Sequence, residues 1–120
     1  MAGPSPLLSL PGAVAASGAD ETVALHYGNP IIEQRMLAAG RAVVDLSTRG
    51  VVSVTGPDRL SWLDSVTSQS IKGLAPGDSA ETLLLGVDGR IEHAIRVLDD
   101  GETAWLLVDA EQTAPLEAWL

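Results

Sequence analysis

Two turns closed by glycine, Asp88-Gly89 and Asp99-Asp100-Gly101-Glu102, divide the stretch 81–109 into three runs of strand length. Such short apolar runs, joined by turns this tight, satisfy their main-chain hydrogen bonds as an antiparallel meander. The expected strands are 81–87, 90–98 and 103–109, and Asp88-Gly89 predicts a type I′ hairpin turn. Alternation in the middle run sets Ile91, His93, Ile95 and Val97 on one face and Glu92, Ala94, Arg96 and Leu98 on the other. A histidine therefore falls on an apolar face, while Glu92 and Arg96 are spaced to pair along the opposite one.

The meander is preceded by a unit with its own start and stop signals. Asn29 is a good N-cap, Pro30 suits the first helical position, and Glu33 lies in the first turn. The helix is expected to run to about Ala39, with Ile32, Met36 and Ala39 on one face and Gly40 taking the left-handed position that ends it. Residues 42–46, Ala-Val-Val-Asp-Leu, then read as a strand, 47–50 as a turn and 51–55 as a second strand. Gly56-Pro57 opens another helix with Leu60, Leu63 and Val66 on its apolar stripe; Trp62 lies off that stripe, where packing against a neighbour explains it better than a ligand surface does. Residues 68–81 form a connector rich in turn residues. The last ten residues begin an amphipathic helix with Leu116, Trp119 and Leu120 on one side and no C-cap, the pattern expected of a fragment cut in mid-element. Residues 1–20 are rich in Pro, Gly, Ala and Ser without period and are expected to be flexible. The fold class is therefore α+β, a helix-strand-strand-helix unit followed by the meander.

Composition narrows the function more than it defines it. A chain of 120 residues is one domain or part of one. It has no Phe and only four Trp or Tyr, so its core must be aliphatic. The formal charge of −9 is concentrated in the second half, where residues 78–120 hold ten acids and two bases. One Lys and six scattered Arg make no phosphate-binding surface, so direct nucleic-acid contact and anionic membranes are disfavoured. Without cysteine there is neither disulfide nor thiolate chemistry. No apolar run approaches the roughly 20 residues that span a bilayer. The opening residues imitate a signal peptide but lack a basic n-region, and Pro4, Pro6, Pro11 and Gly12 interrupt the apolar stretch, so a cytoplasmic location is expected.

Spacing alone supplies no active site. His26 and His93 lie on different elements and are read as a loop or capping residue and a half-buried core residue. Asp99-Asp100 reads as turn chemistry rather than paired acid and base, and the glycines match neither a Rossmann nor a Walker loop.

A combination of motifs carries more. His26-Tyr27-Gly28, Glu33-Gln34-Arg35, the run from Gly40 through Ser47, and Val54-Thr55-Gly56-Pro57-Asp58 with Leu63 together resemble the start of the folate-binding superfamily of the glycine-cleavage T-protein. The stretches LLLGVDGRIEHAIR and WLLVDA are similar to that domain's meander, so the resemblance spans about residues 22–120. It implies that residues 21–120 are the N-terminal portion of a folate-binding domain that continues past Leu120. T-proteins transfer the aminomethyl carbon of a lipoyl-bound intermediate to tetrahydrofolate and release ammonia. Their meander has two aspartates where this chain has Glu92 and His93, Val-Asn-Ala where it has Val108-Asp109-Ala110, and usually His where it has Thr48. These departures favour the YgfZ-like branch, which binds tetrahydrofolate and supports iron–sulfur enzymes, one of them a tRNA methylthiolation enzyme. Its Lys-Gly-Cys signature is expected beyond Leu120. By resemblance Glu92 and Asp109 occupy folate-contacting positions, with His93 the register alternative to Glu92. The alternatives are an active aminomethyltransferase and an interaction module without folate.

Overall fold

The structure, a computed structural model, describes residues 3–120. These form two compact units, one ending at Thr48 and one running from Arg49 to Leu120.

In the first unit, strand β1 (Val14–Ala15) pairs antiparallel with β2 (Ala24–His26), and helix α1 (Pro30–Ala38) follows. Short 3-10 turns at Pro6–Ser9 and Gly18–Asp20 give local structure to the stretch read as flexible. Helix α1 begins and ends as its signals require. Asn29 Oδ1 accepts the Ile32 N–H at 3.2 Å, while the Glu33 carboxylate reaches back to the N–H groups of Tyr27 (2.7 Å) and Asn29 (2.8 Å). At the other end Gly40, at φ 71°, lets the Arg41 N–H reach Met36 O (2.9 Å) and its own N–H reach Leu37 O (3.0 Å), a Schellman closure. Residues 42–46 depart from expectation: they form no strand. Their β propensity finds no partner ladder within the unit, and Val43, Val44 and Leu46 stay exposed. The expected helix-strand-strand-helix pattern thus lacks its first strand, and its second strand and second helix belong to the second unit. Its buried apolar residue is Val23, and the buried Ser5 hydroxyl donates to the Asp45 carboxylate.

The second unit is a four-stranded antiparallel sheet in the order β3-β6-β5-β4, formed by β3 (Arg49–Thr55), β4 (Ser79–Leu85), β5 (Ile91–Asp99) and β6 (Thr103–Asp109). Helix α2 (Arg59–Val66) follows β3, and α3 (Thr113–Trp119) follows β6 after a single 3-10 turn. Period-2 alternation buries Leu84, Ile95, Val97, Leu106 and Val108 on one face. Leu63 of α2, Ile71 of the connector and Leu116 of α3 close over them, completing an aliphatic core without phenylalanine. The connector is stitched to the sheet: Asp64 Oδ1 accepts the N–H groups of Ile71 (2.7 Å) and Lys72 (3.2 Å), and the Ser68 N–H donates to Leu83 O (2.9 Å) along the β4 edge. At Gly50 a side chain is sterically excluded, since a Cβ would lie 1.7 Å from Thr113 Oγ1 on α3.

The β4–β5 turn is not type I′, because both central residues of that turn need positive φ and Asp88 has negative φ. Instead Gly86 O accepts the Gly89 N–H (2.9 Å), Gly89 takes φ 82°, and Gly86 N–H closes on Arg90 O (2.8 Å). This three-residue loop ends in a left-handed glycine. The β5–β6 turn has Gly101 at φ 101° followed by Glu102 at negative φ, the II′ pattern. Asp100 Oδ1 accepts the N–H groups of Glu102 (2.9 Å) and Thr103 (2.7 Å), and its Oδ2 accepts Trp105 Nε1–H (3.0 Å).

Asp99 extends the inward-facing series His93, Ile95, Val97 by one step, which puts a carboxylate on the core face. Arg59, the first residue of α2, meets it through two parallel bonds, Nε to Oδ1 at 2.7 Å and Nη2 to Oδ2 at 2.8 Å, with side-chain exposures of 11% and 2%. Arg59 also donates to Gly56 O (3.0 Å) and Asp99 accepts the Gly101 N–H (3.0 Å), so the pair ties the β3–α2 corner to the β5–β6 turn.

Removing one member of a buried pair strands the other charge, whereas replacing both with apolar residues removes the desolvation cost altogether. Asp99→Asn is therefore expected to lower the urea midpoint sharply, and Arg59→Met combined with Asp99→Leu to recover most of the loss. Acid is expected to act at the same corner. The Arg59 bonds hold Asp99 below the usual carboxylate range, and the Thr103, Trp105 and Glu102 donors hold Asp100 at about 2. A depressed folded pKa contributes stability that is complete above the unfolded value of 3.8 and lost as pH falls toward the folded one. Urea unfolding between about pH 4 and 2 should show this decline, and Asp100→Asn should flatten it.

Candidate functional site

Glu92, His93 and Asp109 lie near the end of the sheet away from the β5–β6 turn. Pairing of β5 with β6 is confined to four rungs, from Arg96↔Leu107 to Asp99↔Ala104. Beyond them β5 continues to pair with β4 as far as Ile91, and β6 with β3 as far as Asp109. The three residues flank this unpaired stretch, but on two different faces.

Glu92 and Asp109 both belong to the outward set. The Glu92 carboxylate sits over Gly86, where a Cβ would come within 2.8 Å of Oε1 and 3.1 Å of the Asp88 carboxylate. The expected pairing of Glu92 with Arg96 is not formed, because the rung opposite Arg96 brings Glu81 to Nη2 at 2.6 Å. Asp109 is exposed and receives Arg49 Nη1–H at 3.0 Å across the β3–β6 rung. His93 points inward, 7% exposed and opposite Leu84, and its Nδ1 has no hydrogen-bond partner among the described residues. Alternation thus separates what adjacency in sequence had joined: the Glu92 and Asp109 side chains share the outer face, and the His93 side chain lies on the opposite one. His26, read as a loop or capping residue, is instead the last residue of β2, paired with Val14, and its Nδ1 accepts the Gly28 N–H at 3.0 Å.

The first unit carries a cleft of about 160 Å³ lined by Leu25, Tyr27, Glu33, Gln34, Leu37 and Asp45 among others. Sites that enclose whole ligands start at about 300 Å³. Both of its carboxylates are already engaged, Glu33 by the helix cap and Asp45 by the Ser5 hydroxyl and the Ser47 N–H (2.9 Å). These bonds, that from Ser5 foremost, hold Asp45 below the usual carboxylate range. The Tyr27 hydroxyl and the Gln34 amide are the other polar side-chain groups of its lining, and the volume is too small for a folate. Among the described residues no group of three or more His, Asp or Glu side chains is placed to hold a metal ion, and no helix is long and apolar enough to cross a membrane.

No protein-family model matches the chain, and no curated protein matches it. Functional inference therefore rests on the residues themselves.

Of the polar residues that organise the second unit, Arg59 and Asp64 were not singled out from sequence, and Asp99 was read only as turn chemistry, although its parity with His93, Ile95 and Val97 places it on the buried face.

A buried acceptor without a partner costs about 1–3 kcal/mol relative to an apolar group of similar shape. His93→Leu is accordingly expected to raise the unfolding free energy by about 1 kcal/mol, measured by urea titration at neutral pH. If the imidazole is instead retained for a ligand, the same substitution should leave stability unimproved and weaken that ligand's binding.

Proposed function

We propose that this chain belongs to a tetrahydrofolate-binding accessory protein of the YgfZ-like branch of the T-protein superfamily, acting in the cytoplasm in support of iron–sulfur enzymes. The observation that carries this reading is the combined motif string, from His26-Tyr27-Gly28 through Val54-Thr55-Gly56-Pro57-Asp58 to the meander at 83–96. The α+β architecture with an antiparallel meander is compatible with it. Glu92 and Asp109 share the outer face beside the unpaired end of β5 and β6, so they are the side chains assigned to the pterin. A carboxylate suits that role because it accepts two hydrogen bonds from adjacent N–H groups on one heterocycle edge. His93 faces the other way and takes no part in this contact. Accessory function is preferred to aminomethyl transfer because the two adjacent aspartates of the transferase pattern are replaced by Glu92 and His93, and these diverge.

A second reading, an interaction module without folate, is favoured by one observation: Asp109 is already held by Arg49. Titration with a reduced folate, followed through the emission of the partly exposed Trp62, Trp105 and Trp119, separates the two. Saturable micromolar quenching that Glu92→Ala weakens by tenfold or more supports folate binding; unchanged emission throughout supports the module. Under the accessory reading the folate-bound protein releases no ammonia from an aminomethyl-lipoyl substrate.

A further inference from the structure

The stretch 42–46, Ala-Val-Val-Asp-Leu, has the composition of a strand and none of its bonding. Among the described residues no backbone hydrogen bond involves any of its N–H or C=O groups. Its apolar side chains are also in water: Val43 is 93% exposed, Val44 57% and Leu46 59%. Main-chain groups left unpaired beside exposed β-branched side chains form a template for strand addition. Neighbouring surface adds to it, since Leu25 and Ile31 are exposed at 70% and 67% in the same unit.

Charge identifies the occupant. Arg41 takes part in no ion pair among the described residues, and Asp45 stands four positions away with Val43 midway between them. Antiparallel pairing of this segment with itself about Val43 sets Arg41 of each copy opposite Asp45 of the other, Ala42 opposite Val44, and Val43 opposite Val43. Both charge pairs and the central apolar contact are satisfied in a single register, and a two-fold axis through Val43 closes the assembly at two chains. We propose that residues 41–45 form an intermolecular antiparallel β ladder with the same segment of a second copy of this chain. The inference is independent of folate binding.

Sedimentation velocity of the chain over a wide concentration range tests it. Wild type is expected to dimerise reversibly, with slowed amide exchange at alternate positions of 41–45 as concentration rises. Val43→Lys, which sets two like charges face to face at the axis, is expected to yield monomer. Arg41→Glu and Asp45→Lys are each expected to weaken association by about tenfold, and the two together to restore it, a pattern that loss of the Ser5–Asp45 bond alone does not produce. A chain monomeric at every concentration, a dimer indifferent to Val43→Lys, or a double reversal that fails to restore association overturns the proposal.

Discussion

The second unit depends on a charge buried where alternation gives it no choice. Asp99 follows three inward-facing residues along β5, and without Arg59 its carboxylate would sit desolvated against Ala104 and the end of the core. Arg59 is available because Gly56-Pro57 turns the chain out of β3 so that α2 starts over this corner. The two parallel bonds then fix three things at once: the angle at which α2 leaves the sheet, the depth of Leu63 in the core, and the position of the turn that joins β5 to β6. Asp64 does for the other end of α2 what Asp99 does for the first. By accepting two successive N–H groups of the connector it delivers Ile71 into the core, and those same bonds depress its own pKa. The aliphatic core provides the driving force for folding, and these two aspartates determine which way the helix and connector lie over it.

Much of this frame is legible in the residues. Helix α1 starts at Asn29-Pro30 and closes at Gly40, strand β6 occupies 103–109 as its composition requires, and the alternation along β5 correctly sends His93 inward and Glu92 outward. Two expectations failed for definable reasons. A strand at 42–46 was inferred from β-branched side chains, but propensity supplies no hydrogen-bond partner, and the segment does not join the β1–β2 ladder of its unit. The type I′ turn was inferred from Asp-Gly alone, whereas Gly86 two residues earlier permits a longer loop in which one residue, not two, adopts positive φ. Long-range pairings such as Arg59 with Asp99 and Arg49 with Asp109 lie 40 and 60 residues apart and have no local signature.

The candidate site divides along the same line. Residues adjacent in a motif become opposed once they enter a strand, so Glu92 and His93 belong to different environments, one wet and one dry. Glu92 shares its face with Asp109, so any recognition on that surface is by outward-facing carboxylates of two neighbouring strands. The enclosed part of the first unit is too small, and its carboxylates too committed, to compensate.

The sheet is also mechanically uneven. Seven rungs join β3 to β6 and seven join β4 to β5, but only four hold β5 to β6. That seam divides the layer into a local hairpin and a pairing of segments far apart in the chain, and it is already unzipped beside His93. Partial opening should therefore proceed from the His93 end toward the turn, with the Arg59–Asp99 corner as the last point to release. The second unit is thus hinged at its most buried charge, and its least-paired seam opens at the end where Glu92, His93 and Asp109 lie.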